Sequence, residues 1–84
     1  MYKLSITRRA EKEIRQLDRQ TKNRIVEAIN ALANQPRPAG CRKVLSEEGV
    51  WRIRVGDWRI GYLVDDKEDA ITIIRIANRK EFYN

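Results

Sequence analysis

The stretch Trp51-Arg52-Ile53-Arg54-Val55-Gly56-Asp57-Trp58-Arg59-Ile60-Gly61-Tyr62 decides the fold. Gly56-Asp57 is a two-residue turn signal between two runs of alternating side chains, the signature of a β-hairpin. A two-residue loop fixes the register. Val55 faces Trp58, Arg54 faces Arg59, Ile53 faces Ile60, Arg52 faces Gly61, and Trp51 faces Tyr62. Successive strand residues point to opposite faces. Trp51, Ile53, Val55, Trp58, Ile60 and Tyr62 therefore share an apolar face that must be covered. Arg52, Arg54 and Arg59 share the other, with Gly61 leaving an open floor between them. Like charges directly opposite on a sheet are destabilising. Acids nearby do not offset them: of the six acidic residues from Val50 onward, Asp65, Asp66, Glu68 and Asp69 crowd one distal loop. The pattern is that of an anion site, for which the planar arginine fork is suited.

Outward from the hairpin, Ala70 to Ala77 is a strand rich in β-branched isoleucine. Asn78 to Asn84 is a short polar-aromatic tail that adds Arg79, Lys80 and Tyr83, with Phe82 as a packing anchor. On the N-terminal side, Lys43 to Leu45 reads as a short strand before a Ser46–Gly49 turn. Pro36, Pro38 and Gly40 stop a helix that starts after Asp18 and runs from Arg19 to about Asn34. Ile25, Ala28, Ile29, Leu32 and Ala33 form its apolar stripe. A shorter helix from Arg8 to about Leu17, capped by Thr7, carries Ala10, Ile14 and Leu17. Tyr2 to Ile6 alternates as a strand. The fold class is α+β, in the order β-α-α-β-β-β-β. An N-terminal strand and a two-helix hairpin pack on one face of a mostly antiparallel sheet.

The chain has 84 residues, which suits one domain spanning 1–84. Lys and Arg total 18 against 12 Asp and Glu, a net charge of +6. That balance favours an anionic partner such as nucleic acid. The single cysteine, Cys41, cannot form an internal disulfide and suits a reducing cytoplasm. Met1-Tyr2-Lys3-Leu4 carries no hydrophobic signal region, and no apolar run is long enough to span a bilayer. No membrane partner is expected. Histidine is absent, which removes the usual general base, and no zinc site or other cofactor is expected. RNA, however, brings its own nucleophile, the ribose 2′-hydroxyl. Cleavage by that route needs alignment, charge stabilisation at phosphorus and proton transfer. Arginines supply the second, and Tyr83 is a candidate for the third.

The hairpin resembles the signature of RelE-family toxins. Ile73-Ile74-Arg75-Ile76-Ala77-Asn78-Arg79-Lys80-Glu81-Phe82-Tyr83 resembles their final strand and basic-aromatic end. The resemblance implies the toxin of a type II toxin–antitoxin pair, a metal-independent endoribonuclease that cleaves mRNA in the ribosomal A site and arrests translation. Its partners would be a cognate antitoxin, the ribosome and mRNA, with operator DNA reached only through the antitoxin. By position, Arg52 and Arg54 match the basic pair of the first hairpin strand, and Arg59 the phosphate-stabilising arginine. Arg79 matches the arginine assigned to the leaving group, and Tyr83 the C-terminal tyrosine assigned as general base. Lys43-Val44-Leu45-Ser46 lacks a second basic residue found in many relatives, so Lys43 or Arg42, with Lys80, stands as the remaining RNA contact. Two alternatives stay open. A ParE-like toxin shares the fold but inhibits DNA gyrase. A non-catalytic RNA-binding module would normally expose stacking aromatics, which this hairpin places on its covered face.

Overall fold

The computed structural model describes residues 1–83. Its elements are β1 (Lys3–Ile6), α1 (Arg8–Arg15), α2 (Arg19–Leu32), β2 (Arg42–Lys43), β3 (Val50–Val55), β4 (Trp58–Asp65) and β5 (Ala70–Asn78). The sheet order is β1-β5-β4-β3-β2. Only β1 and β5 run parallel; the other neighbours are antiparallel. The expected α+β order is therefore the observed one.

Local chemistry sets the helix starts. The Thr7 hydroxyl accepts from Ala10 N–H at 3.2 Å, and the Asp18 carboxylate accepts from Thr21 N–H at 2.7 Å. Each cap satisfies a donor that the first helical turn leaves unpaired. Both helices end about two residues earlier than their apolar periodicity suggests, at Arg15 and Leu32. Leu17 N–H instead bonds Ile14 O in a tighter turn, and Ala33 O accepts Tyr2 N–H at 2.8 Å, tying the end of α2 to the start of β1.

Helix residues Ala10, Ile25, Ile29 and Leu32 pack on Ile53, Ile60, Tyr62, Ile71, Ile73 and Ile76 of the sheet, flanked by Trp51, Val55 and Trp58. The hairpin register is the expected one at every pair. At its tip Gly56 has φ of +61°, a conformation glycine adopts without steric cost. Tyr62 is fully buried, and its hydroxyl donates to Pro36 O at 2.7 Å. That bond anchors the proline loop to the sheet.

Three features depart from expectation. The short strand lies at Arg42–Lys43 instead of Lys43–Leu45, because Val44 turns inward while Leu45 stays 99% exposed. A β-bulge opposite Gly61/Tyr62 skips Ile74, so Ile73 and Ile76 both reach the helix-covered core although they are an odd number of residues apart. Finally, the face opposite the helices is not purely polar. Val44, Val50, Ala77 and Phe82 form a second buried cluster there, with Ile74 against it.

Candidate active site

The exposed face of the sheet carries two transverse rows. Arg42 pairs with Arg52, Arg52 with Gly61, and Gly61 with Arg75; alongside, Arg54 pairs with Arg59 and Arg59 with Ala77. Strand alternation alone brings Arg42, Arg52, Arg54 and Arg59 to one face. The tail then crosses this face. Arg79 N–H donates to Asp57 O at 2.7 Å, which ties the tail to the hairpin turn.

Arg59 is the centre of the arrangement. It is 8% exposed and buried, where the sequence suggested a solvent-facing arginine. Its Nη1 donates to the carbonyls of Gly56 and Trp58 at 3.3 and 3.1 Å. Burial, and then the charges of Arg54, Arg52 and Arg79, lower its pKa; Tyr83 acts in the opposite direction. Arg52, Arg54, Arg59, Arg79 and Tyr83 are thus one electrostatic group. Among the described residues its arginines have no acidic partner. The ion pairs lie elsewhere, at Arg9–Glu13, Arg15–Glu11 and Arg37–Asp66.

A further donor is left unpaired among the described residues. Arg52 is half-buried, and its Nη1 is shielded from solvent with no hydrogen-bond partner among the described residues. A buried donor without a partner carries a desolvation cost, which a bound anion would remove. Arg52 and Tyr83 line a common cleft of about 460 Å³ with Arg42 and Ser46. Tyr83 itself is 57% exposed and meets Phe82 edge-on, 5.0 Å between ring centroids.

Not every candidate converges as fully. Lys43 pairs across strands with Trp51, and its ammonium lies 5.5 Å from that ring, with Arg37 at 5.0 Å. Lys43 also lines the cleft of Arg42, Arg52 and Tyr83, but its ammonium is drawn towards the Trp51 ring, so Arg42 is the better placed of the two. Lys80 is exposed in the tail turn, where its N–H bonds Asn78 Oδ1. Gly61 does not hold its floor open for an anion, because the Phe82 ring covers it. A Cβ built there would stand 3.0 Å from Phe82 Cζ.

Three contributors were missed. Arg75 bonds the tail main chain, Asn78 folds the tail into a turn, and Glu13 Oε1 accepts Ile76 N–H at 2.7 Å where β1 no longer covers β5. The signal for Arg75 was present, as a lone charge inside an isoleucine run.

Comparison with known proteins places this geometry in context. A family model described as the ParE toxin of the type II toxin–antitoxin system parDE matches residues 4–83. A curated relative, Toxin RelE of Mycobacterium tuberculosis, is 31% identical over 83 residues, covering 98% of this chain and 86% of the relative. The archaeal RelE–RelB complex from Pyrococcus horikoshii aligns with a TM-score of 0.82 at 25% identity, over 95% of this chain and 97% of that one. The toxin–antitoxin complex RelBE2 of Mycobacterium tuberculosis aligns at 0.80 with 23% identity, over 93% of this chain and 98% of that one. The isolated Escherichia coli RelE toxin aligns at 0.79 with 21% identity, over 93% and 84%.

Proposed function

This chain belongs to the ParE toxin family, within the RelE/ParE superfamily of type II toxins, and on that premise we propose that it is a ribosome-dependent endoribonuclease that cuts mRNA in the A site. The observation that carries the reading is the group of Arg52, Arg54 and Arg59 on one sheet face, with no acidic ion-pair partner among the described residues, Arg79 and Tyr83 within electrostatic reach of the buried Arg59, and Tyr83 sharing a cleft with Arg52. A fold under selection for stability alone has no use for opposed arginines on one face.

In this reading the arginines align the phosphate and take up the charge that develops on it. The 2′-oxygen attacks the adjacent phosphorus while Tyr83 accepts its proton. The bond to the 5′-oxygen breaks, with Arg79 nearest the departing group, leaving a 2′,3′-cyclic phosphate and a 5′-hydroxyl end. Arg42 and Lys80 hold flanking backbone, and Lys43 contributes at the margin. The chain's residues perform every step without a metal or other cofactor.

A cognate antitoxin is the partner that neutralises it. Neighbours such as the Pyrococcus horikoshii RelE–RelB complex support this. The basic face suits an extended acidic segment that folds on binding. The protein acts in the cytoplasm, and among the described residues no helix is long and apolar enough to cross a membrane.

The ParE family match favours one second reading, inhibition of DNA gyrase. Pulse labelling after induction without antitoxin separates the two. The nuclease reading expects protein synthesis to stop first, with mRNA fragmenting. Early arrest of DNA synthesis with intact mRNA would instead favour gyrase.

A further inference from the structure

Arg75 stands in the basic row, across from Gly61, yet its guanidinium is turned onto the protein's own tail. Nη1 donates to the carbonyl of Phe82, and Nη2 to the carbonyl of Glu81 at 2.6 Å. The same group lies 5.4 Å from the centroid of the Phe82 ring. The planar guanidinium offers two nitrogens in a fixed geometry, one to each of two successive carbonyls, whereas a lysine would have to serve both from a single nitrogen on a flexible stem. Asn78 shapes the other end of the turn. Its Oδ1 accepts the N–H groups of Lys80 and Glu81 at 3.0 Å each, and its carbonyl accepts Phe82 N–H at 2.9 Å. The Phe82 ring then seats on Gly61, where the absent side chain leaves room for it. With residues 78–82 so fixed, Tyr83 is delivered beside Arg52 in their common cleft.

We propose that Arg75 is a positioning residue that holds Tyr83 inside the arginine cluster, and that Gly61 is the seat against which it clamps Phe82. The proposal rests on the nuclease reading for its consequence, though not for its geometry. Arg75 need not touch RNA. An unanchored tail of this length frays, and a base that is not held in place loses the alignment on which its contribution depends.

The test joins amide exchange in the tail to single-turnover cleavage of mRNA on programmed ribosomes. In Arg75→Ala, the amides of residues 80–82 are expected to exchange at least about tenfold faster, with β3, β4 and β5 unchanged. Cleavage at saturation slows by about tenfold or more, at the lower end of what a positioned base supplies, while the binding constant holds within about threefold. Adding Arg75→Ala to Tyr83→Phe brings no further loss, because Arg75 acts through the hydroxyl that Tyr83→Phe has already removed. Arg75→Lys lies between wild type and Arg75→Ala. Gly61→Ala crowds the Phe82 ring at 3.0 Å, meets Arg75 Cβ only in ordinary contact at 3.6 Å, and reproduces the slow, tail-loosened behaviour with every guanidinium still present.

Unchanged tail exchange in Arg75→Ala overturns the proposal. So does faster exchange throughout the sheet, which marks a merely structural role, or a loosened tail with undiminished cleavage. If wild type cuts no mRNA, the nuclease reading fails instead, and the exchange measurement alone decides whether Arg75 holds the tail.

Discussion

Replacing Arg59 by methionine should stabilise the protein while abolishing most of its activity. Arg59 is buried, faces Arg54 directly, and has no acid beside it among the described residues. Methionine keeps an unbranched stem of similar length, so the packing survives where alanine would open a cavity. The loss is two hydrogen bonds to main-chain carbonyls at 3.3 and 3.1 Å. Gly56 is exposed, so water restores the bond at its carbonyl. The gain is relief of like-charge pairing, about 0.2–1 kcal/mol for each cross-strand pair, plus relief of burying an unpaired cation. With the lost bond to Trp58 set against these gains, the net stabilisation is at most about 1 kcal/mol, which raises Tm by no more than roughly 4–8 °C in a domain of this size. Thermal unfolding followed by circular dichroism measures it, with cleavage assayed on the same preparation. A Tm that falls by about 5 °C or more would show that Arg59 is a structural member of the sheet, and the functional reading of the cluster would lose its main support.

The other expectations are simpler. Tyr83→Phe deletes only the ionisable hydroxyl, so single-turnover cleavage should slow by at least about tenfold with substrate binding retained; cleavage near the wild-type rate would remove Tyr83 from the chemistry. Affinity for single-stranded RNA should fall with salt at a slope near −3, about 0.7 for each phosphate held by Arg52, Arg54, Arg59 and Arg79. Arg54→Ala should make that slope shallower by about 0.7, and an unchanged slope would place Arg54 outside the contact. Stability should decline in acid through Asp18 and Asp66. The bond from Thr21 lowers the pKa of the first, and the bonds from Arg37 and Tyr2 that of the second. A carboxylate with a lowered folded pKa contributes fully above the ordinary value of about 4. Its contribution is lost as pH falls through the lowered value. Asp66→Asn should therefore flatten the stability profile below pH about 4, and an unaltered profile would show that its ion pair adds nothing to the fold.

The hairpin was readable in the sequence because its determinants are local. A two-residue turn and a period of two settle register and face together, and Thr7 and Asp18 announce the helices they cap. The gathering of Arg52, Arg54 and Arg59 follows from the same counting. The tail was not readable, because nothing adjacent in sequence states that Arg75 reaches Glu81 and Phe82, or that Phe82 fills the space above Gly61. The burial of Arg59 has the same origin: the tail and the second apolar cluster convert an open face into a partly covered one. Ile73-Ile74 hid the bulge, since two adjacent isoleucines fit a buried strand equally well. Lys43 and Arg42 were interchangeable on paper, and only the draw of the Trp51 ring on the Lys43 ammonium separates them.

The central claim is tested most directly by mixing the purified protein with ribosomes carrying a defined mRNA and, separately, with gyrase and supercoiled DNA. The account predicts cuts within the A-site codon that leave 5′-hydroxyl and 2′,3′-cyclic phosphate ends, lost in Arg59→Met, with gyrase unaffected. Intact ribosome-bound mRNA together with gyrase-dependent DNA breakage would contradict it.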